Sequence, residues 1–600
     1  MNVEDKLNAL RNLMEERNLS AYIIPTEDFH SSEYVGEYFK AREYMSGFTG
    51  SAGTLVVLSD QAALWTDGRY FIQAAEQLQG SSITLMRMGQ PEVPTIAEYL
   101  RDHLMEKSTV GFDGRTVTEH FVRTIAEKTD EKQITFEGGE DLVDFIWPKR
   151  PPISTEPVWE VDVKYTGRSR EEKLQDVREK MRAEKADVLL LTALDEIAWL
   201  LNLRGNDVLY TPVFLAYMLL TLDEAYLFVH EQILPAEIRQ KLSQAGVATY
   251  SYDAIEQKLG DIPDGKQVWI DSGYVNYRLL NSLSAGAEKI DKCSPIVLMK
   301  AVKTLQETEH IRAAHVKDGV AVTRFMYWLK TTVGKEKITE ISAAKKLETF
   351  RKQAEGYLGP SFEPIIAYGA HGAIVHYEPT EQTDVKMTEG SFCLADTGGH
   401  YREGTTDVTR TFALGTVSEE EKKYYTTVLR GHLTLGAAKF VHGVCGQNLD
   451  VLARGPLWES GLDYNHGTGH GVGFVLNVHE GPQRFHWCIS SGTQNIPLEE
   501  GMVISNEPGI YLEGRFGIRH ENLVLCRKGE KNEYGQFMYL EPLTMVPFDR
   551  DAIMPELMSD KELDLLNDYH KKVFGTLAPY FTGEELEWLR EVTAEIDRKL

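Results

Sequence analysis

The sequence predicts a multidomain protein of the α/β (α+β) class, in which two similar α/β domains precede a third, larger domain. The chain has 600 residues, and single hydrophobic cores rarely grow beyond roughly 250–300 residues. Helical and strand-like apolar patterns alternate through its first half, as they do in layered α/β domains. Two stretches of this half, residues 45–71 and 187–230, share one order of features.

Each of these two stretches contains an apolar run, a loop marked by glycine and two strand-like runs separated by a turn acid. The glycine-marked loops are residues 47–53 and the segment around Gly205, and the turn acids are Asp60 and Asp223. Repetition of one supersecondary order within a chain is typical of duplicated units. We therefore expect two copies of one domain type, with two unrelated α/β modules as the alternative.

The predicted domain boundaries follow breaks in these patterns. Residues 147–155 (WPKRPPIST) are polar and rich in proline, which cannot continue a helix or a central strand. A second break lies at residues 294–304, where Thr304 and Glu307 have the spacing of a capping box at the start of a helix. The predicted domains are 1–157, 158–302 and 303–600.

Composition and charge exclude several classes of protein. The 64 Lys+Arg against 91 Asp+Glu give a net charge of −27, whereas a general binder of nucleic acid or of an anionic membrane needs a basic surface. The five cysteines contain no CxxC pair, which argues against a thiolate zinc site or a disulfide framework. The longest apolar run, residues 213–222, is shorter than the ~20 residues of a membrane span. No secretory signal is visible, so we expect a cytoplasmic protein without nucleic-acid or membrane partners.

The third domain carries four acids in strand-like surroundings. Asp396 lies in SFCLADTGGHY (391–401) and Asp407 in GTTDVTRTF (404–412), which predict a hairpin around a glycine turn. The segments GMVISNEPGIYL (501–512) and GIRHENLVLC (517–526) repeat the arrangement with Glu507 and Glu521. Taken singly, each acid has an alternative interpretation as a turn carboxylate or a solvated edge carboxylate.

Clustered buried carboxylates repel each other, and some must take up protons unless a cation is present. A bound metal removes this conflict. Three histidines, His376, His470 and His479, add nitrogen donors in the same domain. One imidazole with four carboxylates is a sensible ligand set for two divalent cations, and its many oxygens suit Mn, Mg, Fe(II) or Co. Two such cations can turn a shared water into a hydroxide nucleophile.

These motifs together resemble a known family. The order of Asp396, Asp407, His470 in HGTGHGVG, Glu507 in NEPG and Glu521 in GIRHEN is similar to that of the dinuclear-metal "pita-bread" peptidases. That family includes methionine aminopeptidase, prolidase, aminopeptidase P and the metal-free creatinase. LWTDGRYF, DTGGHYREGTTDVTRTF and LNVHEGP are similar to three-domain aminopeptidase P (Xaa-Pro aminopeptidase). The resemblance covers nearly the whole chain and implies two creatinase-like amino-terminal α/β domains followed by a pita-bread catalytic domain.

The resemblance also implies a set of metal ligands. Asp407 and Glu521 would bridge two divalent cations, Asp396 would complete one site, and His470 and Glu507 would complete the other. Mn²⁺ is the expected metal, with Co²⁺, Fe²⁺ or Zn²⁺ as alternatives.

Other residues receive roles only from the resemblance. His376 and His479 would bind substrate and stabilise the tetrahedral intermediate, Glu507 would shuttle a proton, and Arg519 would orient the ligand carboxylates. His466 would lie near the substrate. Arg69 would reach the active-site cleft, for which a structural salt bridge is the alternative. His520 stands where relatives commonly have an aliphatic residue, and we do not expect it to be a ligand.

The implied function is a metal-dependent aminopeptidase that releases the first residue from short peptides with proline in second position. A metal-bridging hydroxide would attack the Xaa-Pro bond. Prolidase usually has one amino-terminal domain, methionine aminopeptidase has neither, and non-catalytic binding proteins on this scaffold lose metal ligands. Relatives form homodimers through the catalytic domain, so we expect a dimer in which Trp458 is either a contact or a core residue.

Overall fold

The structure is a computed structural model that describes residues 1–488 and 495–597. The chain divides into two compact units. Unit 1 comprises Met1–Val161 and Arg168–Val297, and unit 2 comprises Asp162–Gly167 and the chain from Leu298 onward.

The first domain of unit 1 is built on one six-stranded sheet with the strand order β4-β3-β2-β1-β5-β6. Its strands are β1 (Ala21–Pro25), β2 (Thr54–Leu58), β3 (Ala62–Thr66), β4 (Ile83–Arg87), β5 (Thr109–Asp113) and β6 (Thr135–Gly139). Its helices are α1 (Val3–Glu16), α2 (Ala41–Ser46), α3 (Phe71–Gln77), α4 (Ile96–His103) and α5 (Glu119–Thr129).

The second domain of unit 1 follows a short strand, β7 (Trp159–Glu160), and a short helix that belongs to unit 2, α6 (Val163–Thr166). Its strands are β8 (Val188–Leu191), β9 (Leu203–Arg204), β10 (Ala216–Thr221), β11 (Ala225–Val229), β12 (Val247–Ser251), β13 (Gln267–Ile270) and β14 (Glu288–Asp291). Its helices are α7 (Arg170–Glu184), α8 (Leu194–Leu201), α9 (Ala236–Gln244), α10 (Ile255–Gly260) and α11 (Tyr277–Ser282).

The two sheets of unit 1 have the same topology. The second sheet has the order β12-β11-β10-β8-β13-β14, which repeats the first strand for strand. In both sheets, the central strand is antiparallel to the strand that follows it along the chain within that sheet and parallel to the strand on its other side (β1 with β2 and β5, β8 with β10 and β13). Asp60 and Asp223 lie in the β2–β3 and β10–β11 turns. The expectation of two copies of one domain type is confirmed.

Unit 2 contains the remaining helices and strands. The helices are α12 (Pro295–Ala301, whose first residues belong to unit 1), α13 (Leu305–Thr332), α14 (Glu340–Arg351), α15 (Glu419–Gly436), α16 (Gly446–Trp458), α17 (Asp560–Leu577) and α18 (Gly583–Val592). The strands are β15 (Tyr357–Pro360), β16 (Ile365–Tyr368), β17 (Ser391–Thr397), β18 (Gly399–Tyr401), β19 (Gly404–Thr405), β20 (Val408–Leu414), β21 (Lys439–Val441), β22 (Gly469–Gly471), β23 (Glu480–Phe485), β24 (Val503–Asn506), β25 (Gly509–Leu512), β26 (Phe516–Arg519), β27 (Asn522–Asn532) and β28 (Gly535–Pro542).

The strands of unit 2 form four antiparallel groups, with the orders β15-β18-β19, β16-β17-β20, β21-β28-β27-β24-β22-β23 and β25-β26. Apolar side chains of the long helices cover these sheets. Phe325 and Leu329 of α13 pack in one cluster with Phe412 of β20, and Val428 of α15 packs in another with Ile518 of β26. Helix α13 begins at the predicted capping box, in which Thr304 and Glu307 cap each other's backbone.

The two predicted hairpins of the third domain are present, but each of their four segments is broken. Strand β17 pairs with β20, while β18 and β19 between them join β15 in another sheet. Likewise β24 pairs with β27, while β25 and β26 pair with each other. The expectation of one continuous strand per segment is wrong at these points because the chain leaves one sheet and enters another.

Two other expectations concern exposure. Trp458 at the end of α16 is 44% exposed, so its alternative interpretation as a core residue is wrong. Among the described residues, we find no helix with both the length and the hydropathy needed to cross a bilayer.

Gly517 in β26 provides a test of the packing beside the broken strands. A Cβ on Gly517 would lie 1.6 Å from the carbonyl oxygen of Gly372, so the two backbones can approach only without a side chain. We expect Gly517→Ala to lower the free energy of unfolding by about 1–3 kcal/mol, measured by chemical denaturation. Gly575→Ala in α17 is the matched control, since nothing lies within 4 Å of its Cβ position. It should raise stability by about 0.5–1 kcal/mol, and an equal response of the two variants would contradict the expectation.

Candidate metal centre

The four acids singled out in the sequence lie at strand ends of unit 2. Asp396 is the penultimate residue of β17, and Asp407 directly precedes β20. Glu507 directly follows β24, and Glu521 directly precedes β27. The two hairpins meet here, because the N–H of Glu521 donates to the carbonyl of Thr409 in β20 at 3.1 Å. All four carboxylates therefore enter one region from two sheets.

His470 reaches the same region from β22. The backbone N–H of His470 donates to Ser505 Oγ at 2.9 Å, and its ring Nδ1 lies 2.9 Å from the carbonyl oxygen of Gly471. A carbonyl only accepts hydrogen bonds, so this contact puts the ring proton on Nδ1 and leaves Nε2 as the donor atom for a metal. Nε2 lies 3.5 Å from both Asp407 Oδ2 and Glu507 Oε1.

The glycines around His470 allow this approach. A Cβ on Gly469 would lie 1.9 Å from the carbonyl oxygen of Ser505, and one on Gly471 would lie 2.2 Å from that of Glu480. The glycines of HGTGHGVG therefore allow the neighbouring backbones to pack in close contact, which a side chain at Gly469 or Gly471 would prevent.

The donor atoms form a group that suits a divalent cation. One ligand atom each from Asp407, His470 and Glu521 lie within 4.8 Å of one another. Asp396 Oδ1, Asp407 Oδ1 and Glu521 Oε1 are buried without a hydrogen-bond partner. A buried carboxylate oxygen without a partner is costly unless a cation compensates it. The oxygen-rich set with one imidazole fits the hard divalent metals.

The pKa values show the cost of assembling these acids without a cation. Burial, followed by the nearby Glu521 and Asp396 carboxylates, raises the pKa of Asp407 well above its ordinary value. Burial, followed by Glu507 and Asp396, does the same to the pKa of Glu521. Burial raises the pKa of Glu507 to about 8 although Arg519 opposes that shift. At neutral pH the cluster is therefore stabilised by protons or by metal.

Arg519 joins Asp396 to the neighbouring polar groups by hydrogen bonds. Arg519 is buried, and its guanidinium donates through Nη2 to Asp396 Oδ2 at 2.5 Å. Nη1 donates to Tyr511 Oη at 2.8 Å, and Nη2 also donates to the carbonyl of Val375 at 3.3 Å. The position of Asp396 is thus fixed by a charge-assisted hydrogen bond.

The three other predicted histidines are all in unit 2. The His479 ring lies 4.4 Å from the His470 ring in an edge-to-face arrangement. His466 Nε2 lies 2.8 Å from Tyr511 Oη, which joins it to Arg519. His376 directly follows Val375, whose carbonyl accepts from Arg519. The structure thus links His466, His479 and the residue before His376 to the centre.

Arg69 and His520 have different surroundings. Arg69 belongs to unit 1, where Nη2 lies 2.8 Å from Asp67 Oδ2 and Nη1 lies 3.4 Å from Glu33 Oε1. Its role in the cleft stays a prediction. His520 is buried with its ring 4.2 Å from that of Tyr425, and its Nε2 lies 3.3 Å from the Tyr425 carbonyl oxygen. Those contacts are consistent with the expectation that it is not a ligand.

Sequence reasoning missed the polar residues that support the ligands. Thr409 Oγ1 donates to Glu521 Oε2 at 2.7 Å, and Ser505 Oγ donates to Glu507 Oε1 at 3.2 Å. Tyr511 links His466 to Arg519. Each lies two to four residues from a ligand or its partner on the adjacent strand, and that proximity is the only signal that could have indicated them.

Comparison with known families agrees with this geometry. The sequence model of metallopeptidase family M24 matches residues 309–528, and that of its C-terminal region matches residues 536–596. The model of the creatinase/prolidase N-terminal domain matches residues 6–144, and a second model of the same description matches residues 149–307. The predicted fold class, two creatinase-like domains followed by a pita-bread domain, is confirmed.

Individual proteins are similar over the full chain. "Probable Xaa-Pro aminopeptidase P" of Laccaria bicolor is 39% identical over 98% of this chain and 93% of its own length. "Xaa-Pro aminopeptidase 1" of Dictyostelium discoideum is 37% identical over 98% and 96%. A crystal structure of an X-prolyl aminopeptidase from Caenorhabditis elegans, described as a cytosolic enzyme with a di-nuclear active site, superposes with a TM-score of 0.94 at 32% identity. It covers 99% of this chain and 100% of that one.

The raised pKa values predict how the metal-free protein responds to pH. The pKa of Glu507 rises from 4.5 in the unfolded chain to about 8 in the folded protein. The stability that this protonated carboxyl contributes is therefore fully present below pH 4.5 and is lost as the pH rises through 8. Asp407 and Glu521 shift in the same direction. We expect the melting temperature of chelator-treated protein to fall from pH 5 to pH 8 more steeply than that of Mn²⁺-loaded protein, because a bound metal favours the ionised acids. Glu507→Gln should reduce the slope of the metal-free protein, and equal slopes with and without metal would contradict the assignment.

Proposed function

Because the chain belongs to metallopeptidase family M24, we propose that it is an Xaa-Pro aminopeptidase, which releases the first residue of peptides with proline in second position. The family resemblance predicted from the sequence is confirmed by the full-length relatives. The observation that carries the proposal is that four predicted acid ligands at strand ends and His470 in β22 lie in one region, in a chain 39% identical to a probable Xaa-Pro aminopeptidase P. The five are Asp396, Asp407, His470, Glu507 and Glu521.

These five residues would hold two divalent cations, for which we propose Mn²⁺. The support is the chemistry of the donors, four carboxylates and one imidazole, together with the buried carboxylate oxygens that have no other partner. When bound, two such cations would supply Lewis acidity and would lower the pKa of a water molecule, which is the proposed source of the bridging hydroxide. Asp407 and Glu521 are the proposed bridging ligands.

The other steps depend on side chains of this protein. Glu507 is proposed to accept a proton from the attacking water and pass it to the departing proline nitrogen. Its Oε1 accepts from Ser505 Oγ and lies 3.5 Å from His470 Nε2, so the hydrogen bond from Ser505 holds one oxygen of the carboxylate in place. His376 and His479 are proposed to donate hydrogen bonds to the oxygen that becomes negative in the transition state.

Substrate binding is proposed to involve the side of Asp396. A free peptide amino group would lie near Asp396, whose carboxylate Arg519 holds in place. His466 would contact the substrate while its Nε2 is anchored on Tyr511 Oη. Arg69 is proposed to approach the peptide from the first domain. These assignments concern orientation, which contributes to the rate by placing the reacting groups in contact.

Two alternative functions agree less well with the chain. A prolidase usually carries one amino-terminal domain, whereas this chain has two with the same sheet topology. A non-catalytic binding protein on this scaffold would not retain the four acids and the one imidazole of the proposed metal centre. The presence of two amino-terminal domains favours the proposal of an aminopeptidase that cleaves short peptides of more than two residues.

We also propose a homodimer, a cytoplasmic location, and domain boundaries near residues 157 and 302. The exposed Trp458 of the catalytic domain offers one apolar contact for a second copy. The cytoplasmic proposal is supported by the cysteine pattern, which fits a reducing compartment, and by the similar C. elegans enzyme, which is described as cytosolic.

Metal removal tests the proposed activity directly. Chelator-treated protein should not cleave Arg-Pro-Pro, and added Mn²⁺ should restore release of arginine, measured by separating the products. Asp407→Asn should reduce kcat by about 10³-fold or more, since the mutation removes a proposed bridging ligand. Glu419→Gln in the exposed first turn of α15 is the matched control and should retain wild-type activity. Arginine release that persists in chelator-treated protein would refute the metallopeptidase assignment.

A substrate series separates the aminopeptidase from a prolidase. With the same first residue, Arg-Pro-Pro and longer peptides should be cleaved, and the dipeptide Arg-Pro should be cleaved at least about 10-fold more slowly in kcat/KM. Arg-Ala-Ala should not be cleaved, because only a proline nitrogen has the tertiary-amide geometry that the site is proposed to accept. Preference for Arg-Pro over Arg-Pro-Pro would favour prolidase instead.

A further inference from the structure

A buried ion pair on α16 adjoins the loop that leads to His470. Asp450 and Arg454 occupy positions i and i+4 of α16, and both side chains are fully buried. Arg454 Nε donates to Asp450 Oδ2 at 2.8 Å. Removing two charges from water costs several kcal/mol per ion, so such a pair depends on additional hydrogen bonds. Those bonds all go to one loop.

The two terminal nitrogens of Arg454 donate hydrogen bonds to the loop of residues 463–468. Nη1 donates to Asp463 Oδ1 at 2.5 Å and to the carbonyl of Tyr464 at 2.8 Å. Nη2 donates to the carbonyl of His466 at 2.8 Å. The guanidinium carbon also lies 3.8 Å from the centre of the Tyr464 ring. The planar cation therefore fixes three successive points of the loop.

Asp450 fixes the far end of the same loop. Its Oδ1 accepts from Thr468 Oγ1 at 2.5 Å, and that hydroxyl lies 2.5 Å from Tyr464 Oη. The carbonyl of Thr468 then accepts from the N–H of Glu507 at 2.9 Å. Two hydrogen bonds thus connect a helix carboxylate to the backbone of a proposed metal ligand.

The loop also carries His466, whose Nε2 lies 2.8 Å from Tyr511 Oη. Tyr511 accepts from Arg519, which donates to Asp396. The pair on α16 is therefore connected to both sides of the centre, to Glu507 through Thr468 and to Asp396 through His466.

We propose that Arg454 and Asp450 are positioning residues of the metal centre, which set the places of Glu507 and His466 through the loop of residues 463–468. The proposal rests on the proposed metal site but not on the peptide substrate. Lysine cannot replace Arg454, because its ammonium lacks the planar fork that reaches several acceptors in fixed directions.

Calorimetric titration of the metal-free full-length protein with Mn²⁺ tests the proposal. The wild type should show two binding steps. In Arg454→Lys, the step that depends on Glu507 should weaken by about 10–100-fold, as is usual when a residue supporting a ligand is changed, while the other step stays close to wild type. kcat for Arg-Pro-Pro should fall by a similar factor with a smaller change in KM.

Arg430→Lys is the matched control. Arg430 of α15 donates to Glu562 of α17 at 3.1 Å. Within the described residues no hydrogen bond or ion pair joins its side chain to the loop or to a proposed ligand, so both metal steps should stay at wild type. A merely structural role of Arg454 would lower the melting temperature and leave both steps unchanged, and that result would overturn the proposal.

Thr468→Val provides a second variant if Arg454→Lys does not fold. It keeps the size of the side chain but removes the hydroxyl contacts with Asp450 and Tyr464. The same selective weakening of one metal step is expected, and two wild-type steps would overturn the proposal. A wild-type protein that binds two Mn²⁺ but does not cleave Arg-Pro-Pro would refute the proposed function alone, since the titration needs no peptide.

Discussion

The burial of four carboxylates in one place is the constraint on which the rest of unit 2 depends. Burial and mutual repulsion raise the pKa of Asp407, Glu521 and Glu507. The acids can be ionised together only if cations compensate them. Arg519 supplies one positive charge on Asp396, and the carboxylate oxygens without partners leave room for metal ions to supply the rest.

The broken strands follow from the same constraint. In an unbroken ladder, successive side chains alternate between the two faces of one sheet, whereas these acids must enter one region from two sheets. At the two breaks that hold Glu507 and Glu521 the backbone still forms hydrogen bonds, since the N–H of Glu507 donates to the carbonyl of Thr468 and that of Glu521 donates to the carbonyl of Thr409. Arg410 completes the arrangement by donating to the carbonyl of Glu521 at 2.6 Å while it is only 1% exposed. The gap between strands thus positions a carboxylate without leaving its backbone unsatisfied.

Much of the fold, and the acids that the structure brings together in the candidate site, could be predicted from the sequence because the signals are local. The repeated order of apolar runs and turn acids indicated the duplicated domain, and Thr304 with Glu307 indicated the start of α13. The acids were visible because carboxylates are unusual within apolar strands. The strand breaks were not predictable, since periodicity within a segment does not report which sheet its neighbours join. Arg454 was not predictable for a related reason: beside two carboxylates, its acceptors are the carbonyls of Tyr464 and His466. Every residue has a backbone carbonyl, so only the folded chain shows which ones a guanidinium reaches.

A neutral histidine cluster behind the ligands has a physical reason in the same charge balance. His432 and His570 are buried near Arg410, and burial followed by neighbouring guanidinium groups lowers the pKa of each to about 3. The N–H of Phe548 donates to His570 Nε2 at 3.1 Å, so that nitrogen carries no proton. Both imidazole rings lie against Phe548, and the Arg410 guanidinium lies 4.0 Å from the centre of that ring. Histidines that stay neutral therefore add no positive charge beside Arg410, which donates to the Glu521 carbonyl. The four carboxylates outnumber the Arg410 and Arg519 guanidinium groups, so the region stays negatively charged and favours divalent cations.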